Sequence, residues 1–490
     1  MEKYILSIDA GTSSSRALII DKKGSIKGIS QFEFPQIFPK EGWVEHNPNE
    51  IWETQLKAIK EVLKKTKISP ERIHSLGITN QRETTVIWNK KTGEPVYNAI
   101  VWQDRRTAEI CDDLKKQNLE SIFQNKTGLL LDPYFSGTKI KWIFDNNPSL
   151  YILAKNNQLA FGTIDSWLIW KLTNGKQHVT DVTNASRTLI FNIKKLKWDQ
   201  ELIDLIGIPD NILPKVVSCS EHVGNTEKNI LGAEIPITGI AGDQQASLFG
   251  QMCLEEGDIK NTYGTGCFCM MNTGEKIVKS KNRLLSTIAY QINNKTFYAI
   301  EGSIFTAGSL VQWLRDQLGI ISNSSEIESL ASTVKDSGGV TFIPALSGLG
   351  APYWNPKATG SILGITRGTE KGHIARAALE GIAIRTYEII QNMQKDANTQ
   401  FTNLKVDGGA SNNNLLMQIQ CNLIDANVIR PVITETTALG VGYLAGLGSG
   451  YWKSIEDLKN IWKHDRKFIP EISNKENILS KWKETINVLY

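Results

Sequence analysis

The stretch YILSIDAGTSSSRALIID, residues 4–21, gives the clearest indication of the fold of this chain. Tyr4–Asp9 is an apolar run of strand type, Gly11–Ser15 is a turn of small residues, and Arg16–Asp21 is a second apolar strand. A hairpin turn that ends in glycine then leads to a third strand, Ser25–Phe34. The chain therefore begins with a meander of three strands.

Helical and strand patterns alternate along the rest of the chain. A helix begins after Asn47, which can cap it, with Pro48 at its first position and Glu50 in its first turn. Further strands are predicted at Ser75–Thr79, Thr84–Trp88, Ile235–Ile240 and Lys260–Tyr263, and further helices at Ile304–Leu318, His373–Met393, Asn412–Leu423, Thr436–Leu447 and within the Lys- and Trp-rich residues 451–490. This alternation is typical of an α/β fold with mostly buried sheets.

The length of 490 residues exceeds what one hydrophobic core usually supports, so we expect two domains. No low-complexity linker divides the chain, and the glycine-bearing stretch Gly250–Lys260 is the best candidate for a boundary. We therefore predict one domain over residues 1–250 and another over residues 251–490, closely packed with a cleft between them.

The charge balance and the cysteines exclude several classes of protein. With 55 basic and 51 acidic side chains the formal charge is only +4, which predicts neither a nucleic-acid surface nor a membrane-binding face. No apolar run reaches the roughly 18 residues of a membrane span, and the first apolar stretch is too short for a signal peptide. The six cysteines form neither a C-x-x-C pair nor a disulfide scaffold. We expect a cytoplasmic protein with reduced thiols and no stable membrane insertion.

The loop after the first strand has the composition of a phosphate-binding site. Its glycine lets the backbone approach an anion, and Thr12, Ser13 and Ser14 offer hydroxyl donors. Arg16 adds a fixed positive charge, and Asp9 at the end of the strand can hold Mg²⁺ through water. The alternative is a polar hairpin with a solvated arginine, and the Walker A pattern is absent from the chain.

Two other loops share this small, hydroxyl-bearing character. Asp407–Asn412 (DGGASN) resembles the first loop and also follows a short apolar strand, and Asn261–Gly266 (NTYGTG) is similar. A single loop of this kind usually marks only a turn. Three of them are better explained by a shared ligand that carries several phosphate oxygens.

An acidic residue, Asp243, follows the predicted strand Ile235–Ile240 at a turn of small residues. A carboxylate in this position lies at the mouth of a sheet, where ligands collect. Phosphoryl transfer to an alcohol needs a carboxylate that accepts the hydroxyl proton. Asp243 is therefore our candidate for the general base, and the alternative is an aspartate that only caps a helix.

A third group of candidate residues combines charge with aromatic rings. Arg82 and Glu83 would point to opposite faces of a strand, but in a loop they can converge on neighbouring hydroxyls, one donating and one accepting. Trp102 offers a flat apolar wall to a carbon chain, and Tyr134 offers a phenol. The alternative is a set of scattered surface polar groups and core aromatics.

These motifs occur together with others that are spread along the whole chain. They are DAGTSSSRALI (Asp9–Ile19), GWVEHNPNEIW (Gly42–Trp52), GITNQRETTVIW (Gly77–Trp88), NAIVWQDRRT (Asn98–Thr107), DPYFSGTKIKWI (Asp132–Ile143), TDVTNASRT (Thr180–Thr188), GIAGDQQASLFGQ (Gly239–Gln251), NTYGTGCF (Asn261–Phe268), GLGAPYWNP (Gly348–Pro356) and VDGGASNN (Val406–Asn413). The set resembles the FGGY family of carbohydrate kinases. Within that family, NQRET, DPYFSGTK and GDQQA in one chain are specific to the members that phosphorylate glycerol.

The resemblance implies a fold and an activity. The fold is a pair of actin/hexokinase-like (ribonuclease H-like) ATPase domains, each a sheet flanked by helices, with the substrates in the cleft. The activity is ATP-dependent phosphorylation of glycerol to sn-glycerol 3-phosphate with release of ADP, the first step of glycerol catabolism. A homo-oligomer, either a dimer or a tetramer, is also implied. A kinase for another polyol or sugar is the nearest alternative, and an ATPase that uses nucleotide only to change shape is a more distant one.

The resemblance also implies roles for individual residues. Asp243 would be the general base, and Mg²⁺ would lie near Asp9 and Asp243. Glycerol would be held by Arg82, Glu83, Tyr134, Asp243 and Gln244, with Trp102 and Phe268 on its carbons. ATP would contact Thr12, Ser13, Ser14 and Arg16 from the first domain and Thr265, Gly308, Gln312, Gly409 and Asn413 from the second.

One segment departs from the pattern of some bacterial relatives. They are inhibited by a sugar bisphosphate at a Gly/Arg loop, which corresponds here to Asn229–Glu234. Glu234 stands where the arginine would be, and its charge would repel an anion. Others are activated by phosphorylation of a histidine in this loop, but none lies between Val223 and Glu234. We therefore predict that both forms of regulation are weak or absent.

Overall fold

The structure of this protein, a computed structural model, describes residues 2–355, 357–472 and 475–489. The strands are β1 (Tyr4–Ala10), β2 (Ser14–Ile20), β3 (Ile26–Glu33), β4 (Glu45–His46), β5 (Ile73–Asn80), β6 (Val86–Asn89), β7 (Ala99–Ile100), β8 (Leu159–Gly162), β9 (Val179–Asp181), β10 (Phe191–Asn192), β11 (Lys197–Trp198), β12 (Lys215–Val217), β13 (Gly224–Asn225), β14 (Pro236–Gly242), β15 (Ile259–Tyr263), β16 (Cys267–Asn272), β17 (Leu285–Ile292), β18 (Lys295–Ile304), β19 (Thr341–Ile343), β20 (Ser361–Leu363), β21 (Asn403–Asp407), β22 (Asn427–Pro431) and β23 (His464–Phe468).

The helices alternate with these strands. They are α1 (Pro48–Thr66), α2 (Ala108–Lys116), α3 (Glu120–Thr127), α4 (Ser136–Asn146), α5 (Ser149–Lys155), α6 (Ile164–Leu172), α7 (Val182–Ala185), α8 (Gln200–Ile206), α9 (Lys228–Leu231), α10 (Asp243–Gly250), α11 (Gly308–Asp316), α12 (Glu326–Ala331), α13 (Lys371–Ala397), α14 (Asn414–Ile424), α15 (Thr436–Gly448), α16 (Ile455–Ile461) and α17 (Lys475–Leu489). The predicted α/β class is therefore confirmed. No helix among the described residues is long and apolar enough to cross a membrane.

The predicted meander forms one edge of the first large sheet, whose strand order is β13-β14-β5-β1-β2-β3. β1 pairs antiparallel with β2, whereas β1, β5 and β14 run parallel to one another. The carboxyl ends of these three parallel strands meet at one edge of the sheet, where Asp9 lies beside Thr79 and Thr79 lies beside Ala241. The loop after β1, the loop with Arg82 and the start of α10 therefore emerge side by side.

The second large sheet repeats this arrangement with the order β17-β18-β16-β15-β21-β22-β23. β15 pairs antiparallel with β16 and parallel with β21, as β1 does with β2 and β5. The glycine-rich loops after β15 and β21 therefore emerge from one edge, like the loops of the first sheet. The similarity of the three loops in sequence thus corresponds to equivalent positions at the ends of parallel strands.

Helices α10 and α15 pack against each other at very short range. A Cβ atom on Gly440 would lie 1.8 Å from the carbonyl oxygen of Ala246, and one on Gly250 would lie 2.1 Å from the carbonyl oxygen of Thr436. α15 also covers the first sheet, where a Cβ on Gly77 would lie 2.5 Å from the carbonyl oxygen of Val441. A helix from the second half of the chain thus completes the core of the first half. The division into residues 1–250 and 251–490 stays a prediction.

Three of the differences from the predicted elements have an identifiable cause. The helix predicted over Ile304–Leu318 begins only at Gly308, because β18 continues to Ile304. The strand predicted over Thr84–Trp88 begins at Val86, because Glu83 has a φ of 61° and turns the chain. The C-terminal segment is not only helical, since His464–Phe468 forms an edge strand on β22. Its sequence, HDRKF, lacks the alternation that marks a strand.

Gly440→Ala should destabilise the protein, although alanine favours a helix by about 1 kcal/mol over glycine. The added methyl group would overlap the backbone of α10, so we expect the free energy of unfolding to fall by about 2 kcal/mol or more. Urea denaturation measures this change. Gly368→Ala is the matched control, because its nearest neighbour would be Thr366 Oγ1 at 3.9 Å. Equal stability of the two variants would contradict the packing argument.

Candidate active site

A cavity of about 190 Å³ lies where loops from both sheets meet. Its lining contains all the residues that the sequence predicts for the substrate. The lining residues are Thr12, Arg82, Glu83, Trp102, Gln103, Tyr134, Asp243, Gln244, Thr262, Gly264, Thr265, Gly266, Phe268 and Phe305. The structure thus brings together residues from both halves of the chain around one small space.

The polar part of this cavity is centred on Arg82 and Asp243. The Arg82 Nε atom lies 3.1 Å from Asp243 Oδ1, and its Nη2 donates to the Tyr134 hydroxyl at 3.4 Å. Asp243 is the first residue of α10, and its carboxylate accepts the backbone N–H of Gln244 at 2.7 Å. Arg82 is buried, whereas the Asp243 side chain is 27% exposed. The Asp243 carboxylate is therefore held in place and accessible from the cavity.

The electrostatic environment of Asp243 suits a proton acceptor. Burial raises the pKa of Asp243, Arg82 lowers it, and the nearby Asp9 raises it again. Burial also raises the pKa of Asp9, and Arg16 at 4.0 Å lowers it. A raised pKa makes a carboxylate a better base, while Arg82 favours its ionised form.

Asp9 and Asp243 are also the residues that could hold a metal ion. No group of three or more His, Cys, Asp and Glu side chains in the described part of the chain could form a protein-only metal site. Mg²⁺ is commonly bound by one or two carboxylates together with water and substrate phosphates. The pair therefore fits Mg²⁺ that is bound together with a phosphate ligand.

Aromatic rings form the apolar wall of the cavity. Trp102 makes edge-on contacts with Tyr134 and Phe268, at ring-centroid distances of 5.6 and 6.0 Å. The Trp102 Nε1 atom donates to Thr12 Oγ1 at 3.0 Å, which fixes the indole. The wall therefore offers flat carbon surfaces, and the opposite side offers charged groups.

A second cavity of about 470 Å³ lies beside the first, in the second half of the chain. Its lining includes all the residues that were predicted to bind nucleotide from this side, namely Thr265, Gly308, Gln312, Gly409 and Asn413. Helix α11 begins at Gly308, and Asn413 caps α14 through a bond from Leu416 N at 2.9 Å. Helix N-termini favour anions. Gly264 and Thr265 line both cavities and so connect them.

Ser13, Ser14 and Arg16 do not line either cavity. Ser14 Oγ accepts a bond from Gln31 Nε2 at 2.9 Å, and Arg16 Nε donates to Gln31 Oε1 at 3.1 Å. The Arg16 guanidinium also pairs with the Glu435 carboxylate. Of the four predicted phosphate contacts in this loop, the structure brings only Thr12 to the cavity wall.

Sequence reasoning missed two charged residues behind the cavity, Arg187 and Glu301. Arg82 donates to Glu301 through Nη1 at 2.5 Å and through Nη2 at 3.0 Å. Arg187 donates to Glu83 Oε1 at 2.6 Å and to Glu301 Oε1 at 3.1 Å. All four side chains are at most 2% exposed. We call Arg82, Glu83, Arg187 and Glu301 the buried charge cluster.

The buried charge cluster fixes the side chains of Arg82 and Glu83 from behind the cavity. Burial raises the pKa of Glu301, but Arg187 and Arg82 outweigh it and lower that pKa to about 2. Glu83 has a left-handed backbone, which is rare outside glycine and is kept where the surroundings enforce it. A signal for Glu301 existed in the sequence, since it is the only charge in the apolar run Tyr298–Ile304. A buried carboxylate is costly to desolvate, and a partner of opposite sign offsets that cost.

Two family models match the chain: the N-terminal domain of the FGGY family of carbohydrate kinases over residues 4–250, and the C-terminal domain of that family over residues 259–449. The chain is 55% identical over 487 residues to "Glycerol kinase 2" of Thermotoga maritima, covering 99% of this chain and 98% of the relative. It is also 55% identical over 488 residues to the glycerol kinase of Petrotoga mobilis, with the same coverage.

Solved structures show the same fold. A crystal structure of Plasmodium falciparum glycerol kinase with ADP matches with a TM-score of 0.92 and 37% identity, covering 100% of this chain and 98% of that one. The gluconate kinase of Lactobacillus acidophilus matches with a TM-score of 0.89 and 24% identity, again over 100% and 98%. The predicted pair of actin/hexokinase-like domains is confirmed.

Glu301→Gln should destabilise the protein strongly, because it leaves two buried arginines with only Glu83 and the partly exposed Asp243 as partners. We expect a loss of about 3–5 kcal/mol in the free energy of unfolding at neutral pH, measured by urea denaturation. The pKa of Glu301 falls from 4.5 to about 2 on folding, so its stabilisation is present above pH 4.5 and is lost as the pH falls toward 2. The two proteins should therefore converge in stability across that window.

Glu256→Gln is the matched control for this measurement. Glu256 pairs with Lys276 at 3.0 Å, but its side chain is 46% exposed, so its loss should cost less than about 1 kcal/mol. A Glu301→Gln protein as stable as this control would show that the buried charge cluster is not what stabilises the site.

Proposed function

The chain belongs to the FGGY family of carbohydrate kinases, and we infer that it transfers the γ-phosphoryl group of ATP to glycerol. Glycerol kinases that are 53–55% identical over 99% of the chain confirm the ATP-dependent phosphorylation of glycerol that was predicted from the sequence. The products are sn-glycerol 3-phosphate and ADP. The assignment of individual residues to this reaction, and of Asp243 as its base, is our proposal.

The composition of the cavity of about 190 Å³ is the observation that best supports the residue assignment. Glycerol carries a hydroxyl on each of its carbons, so a site for it needs several hydrogen-bond partners and an apolar wall. Arg82 and Gln244 can donate, Glu83 and Asp243 can accept, and Tyr134 can do either. Trp102 and Phe268 would cover the carbons. A buried site of this kind rejects molecules that lack a hydroxyl.

We propose that Asp243 accepts the proton of the attacking glycerol hydroxyl. The hydroxyl oxygen bonds to the γ-phosphorus, the bond from that phosphorus to the β,γ-bridging oxygen breaks, and ADP leaves. Arg82 holds the carboxylate at 3.1 Å and keeps it ionised until the proton arrives. Catalysis by positioning and charge stabilisation is typical of phosphoryl transfer.

We propose that ATP lies across both cavities. The larger one would take the adenosine, and the phosphates would pass Gly264 and Thr265 toward Thr12. Mg²⁺, held near Asp9 and Asp243, would neutralise negative charge on the phosphates when bound. Arg16 would join this site by exchanging Glu435 for a phosphate oxygen, and Ser13 and Ser14 would donate their hydroxyls to the phosphates.

The cellular setting is also part of the proposal. All six cysteines are buried and unpaired, which suits the reducing cytoplasm. A dimer or tetramer is expected from the resemblance to the family alone, and light scattering in solution measures it. Gluconate and xylulose kinases share the fold at 21–24% identity, so a different polyol or sugar is the alternative that a substrate panel tests.

Asp243→Asn should reduce kcat with glycerol by about 10²- to 10⁴-fold, because asparagine cannot accept the proton. Coupled detection of ADP release, with glycerol and with a panel of sugars and polyols, measures this. Asp316→Asn, on an exposed pair with Arg315, serves as the control that should retain wild-type activity. Undiminished turnover of Asp243→Asn with glycerol would rule out Asp243 as the base, whereas ADP release that did not depend on glycerol would favour an ATPase without an alcohol site.

Fructose 1,6-bisphosphate should inhibit this protein weakly or not at all. Glu234 is exposed just beyond α9, and its negative charge disfavours a phosphate there. Steady-state rates at increasing bisphosphate concentration test this. Glu234→Arg should then increase any inhibition, whereas strong inhibition of the wild type would refute the prediction.

A further inference from the structure

A lysine that is buried behind the proposed glycerol site has no ion pair with any residue that the structure describes. Lys260, on β15, is 0% exposed, and its Nζ donates to Gln244 Oε1 at 2.6 Å and to Thr262 Oγ1 at 2.7 Å. No carboxylate lies within 4.0 Å of this nitrogen among the residues that the structure describes. Burial lowers the pKa of Lys260, and the charges of Asp407 and Asp243 raise it without direct contact. Both of its bonds lead to side chains that line the glycerol cavity.

The hydrogen bond from Lys260 determines the orientation of the Gln244 side-chain amide. An ammonium group has donors only, so the atom that it contacts must be the amide oxygen. The Gln244 Nε2 group is therefore left facing the cavity, and within the described residues no protein acceptor is bonded to it. A glutamine without this constraint could turn and present its oxygen instead.

We propose that Lys260 is a positioning residue that fixes the Gln244 amide so that its N–H donors face a glycerol hydroxyl. The site then presents donors from Arg82 and Gln244 opposite acceptors from Glu83 and Asp243. This inference rests on the proposed glycerol site. It assigns to a residue outside the cavity wall a part in the recognition of the alcohol.

A purely structural role for Lys260 is a poor explanation of its burial. Transferring an unpaired ammonium group into the interior is costly, and an apolar side chain of similar size usually packs there as well or better. Lys260→Met should therefore melt at the same temperature as the wild type or higher. A loss of glycerol recognition in this variant would then not be a loss of folding.

A double-mutant cycle with Lys260→Met, Gln244→Ala and the combined variant tests the proposal. Loss of a bond to a charged group corresponds to about a tenfold to hundredfold change, so kcat/KM for glycerol should fall by that factor in Lys260→Met. The fall should appear in KM for glycerol, with KM for ATP unchanged. In the Gln244→Ala background, Lys260→Met should change kcat/KM by less than about twofold, since both act on one contact.

Lys405→Met is the matched control. Lys405 lies beside Lys260 on the neighbouring strand β21 and donates only to the backbone carbonyls of Gln251 and Met252, at 2.9 Å each. The Lys405→Met variant should leave the KM for glycerol and the KM for ATP unchanged.

Three results would overturn the proposal. They are a wild-type KM for glycerol in Lys260→Met, a loss of kcat/KM on Lys260→Met that is as large in the Gln244→Ala background as in the wild type, and a lowered melting temperature as the only effect of Lys260→Met. A wild type without glycerol-dependent ADP release would instead refute the proposed function.

Discussion

The buried charge cluster is the interaction on which the rest of this structure depends. Glu301 comes from the second sheet, whereas its partners Arg82 and Arg187 belong to the first half of the chain. Because separating a buried ion pair leaves uncompensated charges, this contact fixes how the two halves face each other. It also holds Arg82 against Asp243 and Glu83 against the cavity, so one ionic contact sets both the domain arrangement and the polar face of the substrate site.

Close helix packing complements this ionic contact. Gly440 and Gly250 allow α10 and α15 to approach backbone to backbone, and α10 begins with Asp243 at its cavity end. The same helix therefore supports the candidate base at one end and the contact between the halves near the other. Aromatic contacts fix the opposite wall, where Trp102 is bonded to Thr12 in the loop after β1.

The local sequence was sufficient to predict those features of the fold that depend on neighbouring residues. The hairpin at residues 4–34 and the helix start at Pro48 follow from patterning and capping, and the motif residues Arg82, Asp243 and Gln244 lie together as expected. Sequence was insufficient where partners are distant. Arg82 and Glu301 are 219 positions apart, and nothing near Arg16 indicates that Glu435 would pair with it. The edge strand at His464–Phe468 depends on the neighbouring strand rather than on its own alternation.

The position of α15 has a consequence for how the protein is made. The strands of the first sheet are translated by Gly242, yet the helix that covers this sheet spans Thr436–Gly448 in the second half of the chain. A nascent chain would therefore expose the apolar face of that sheet on the ribosome until α15 had emerged. Exposed apolar surface of this kind is what chaperones bind and what drives aggregation. The first half of this enzyme is thus expected to complete its folding only after α15 has been made, with a long interval in which it needs protection.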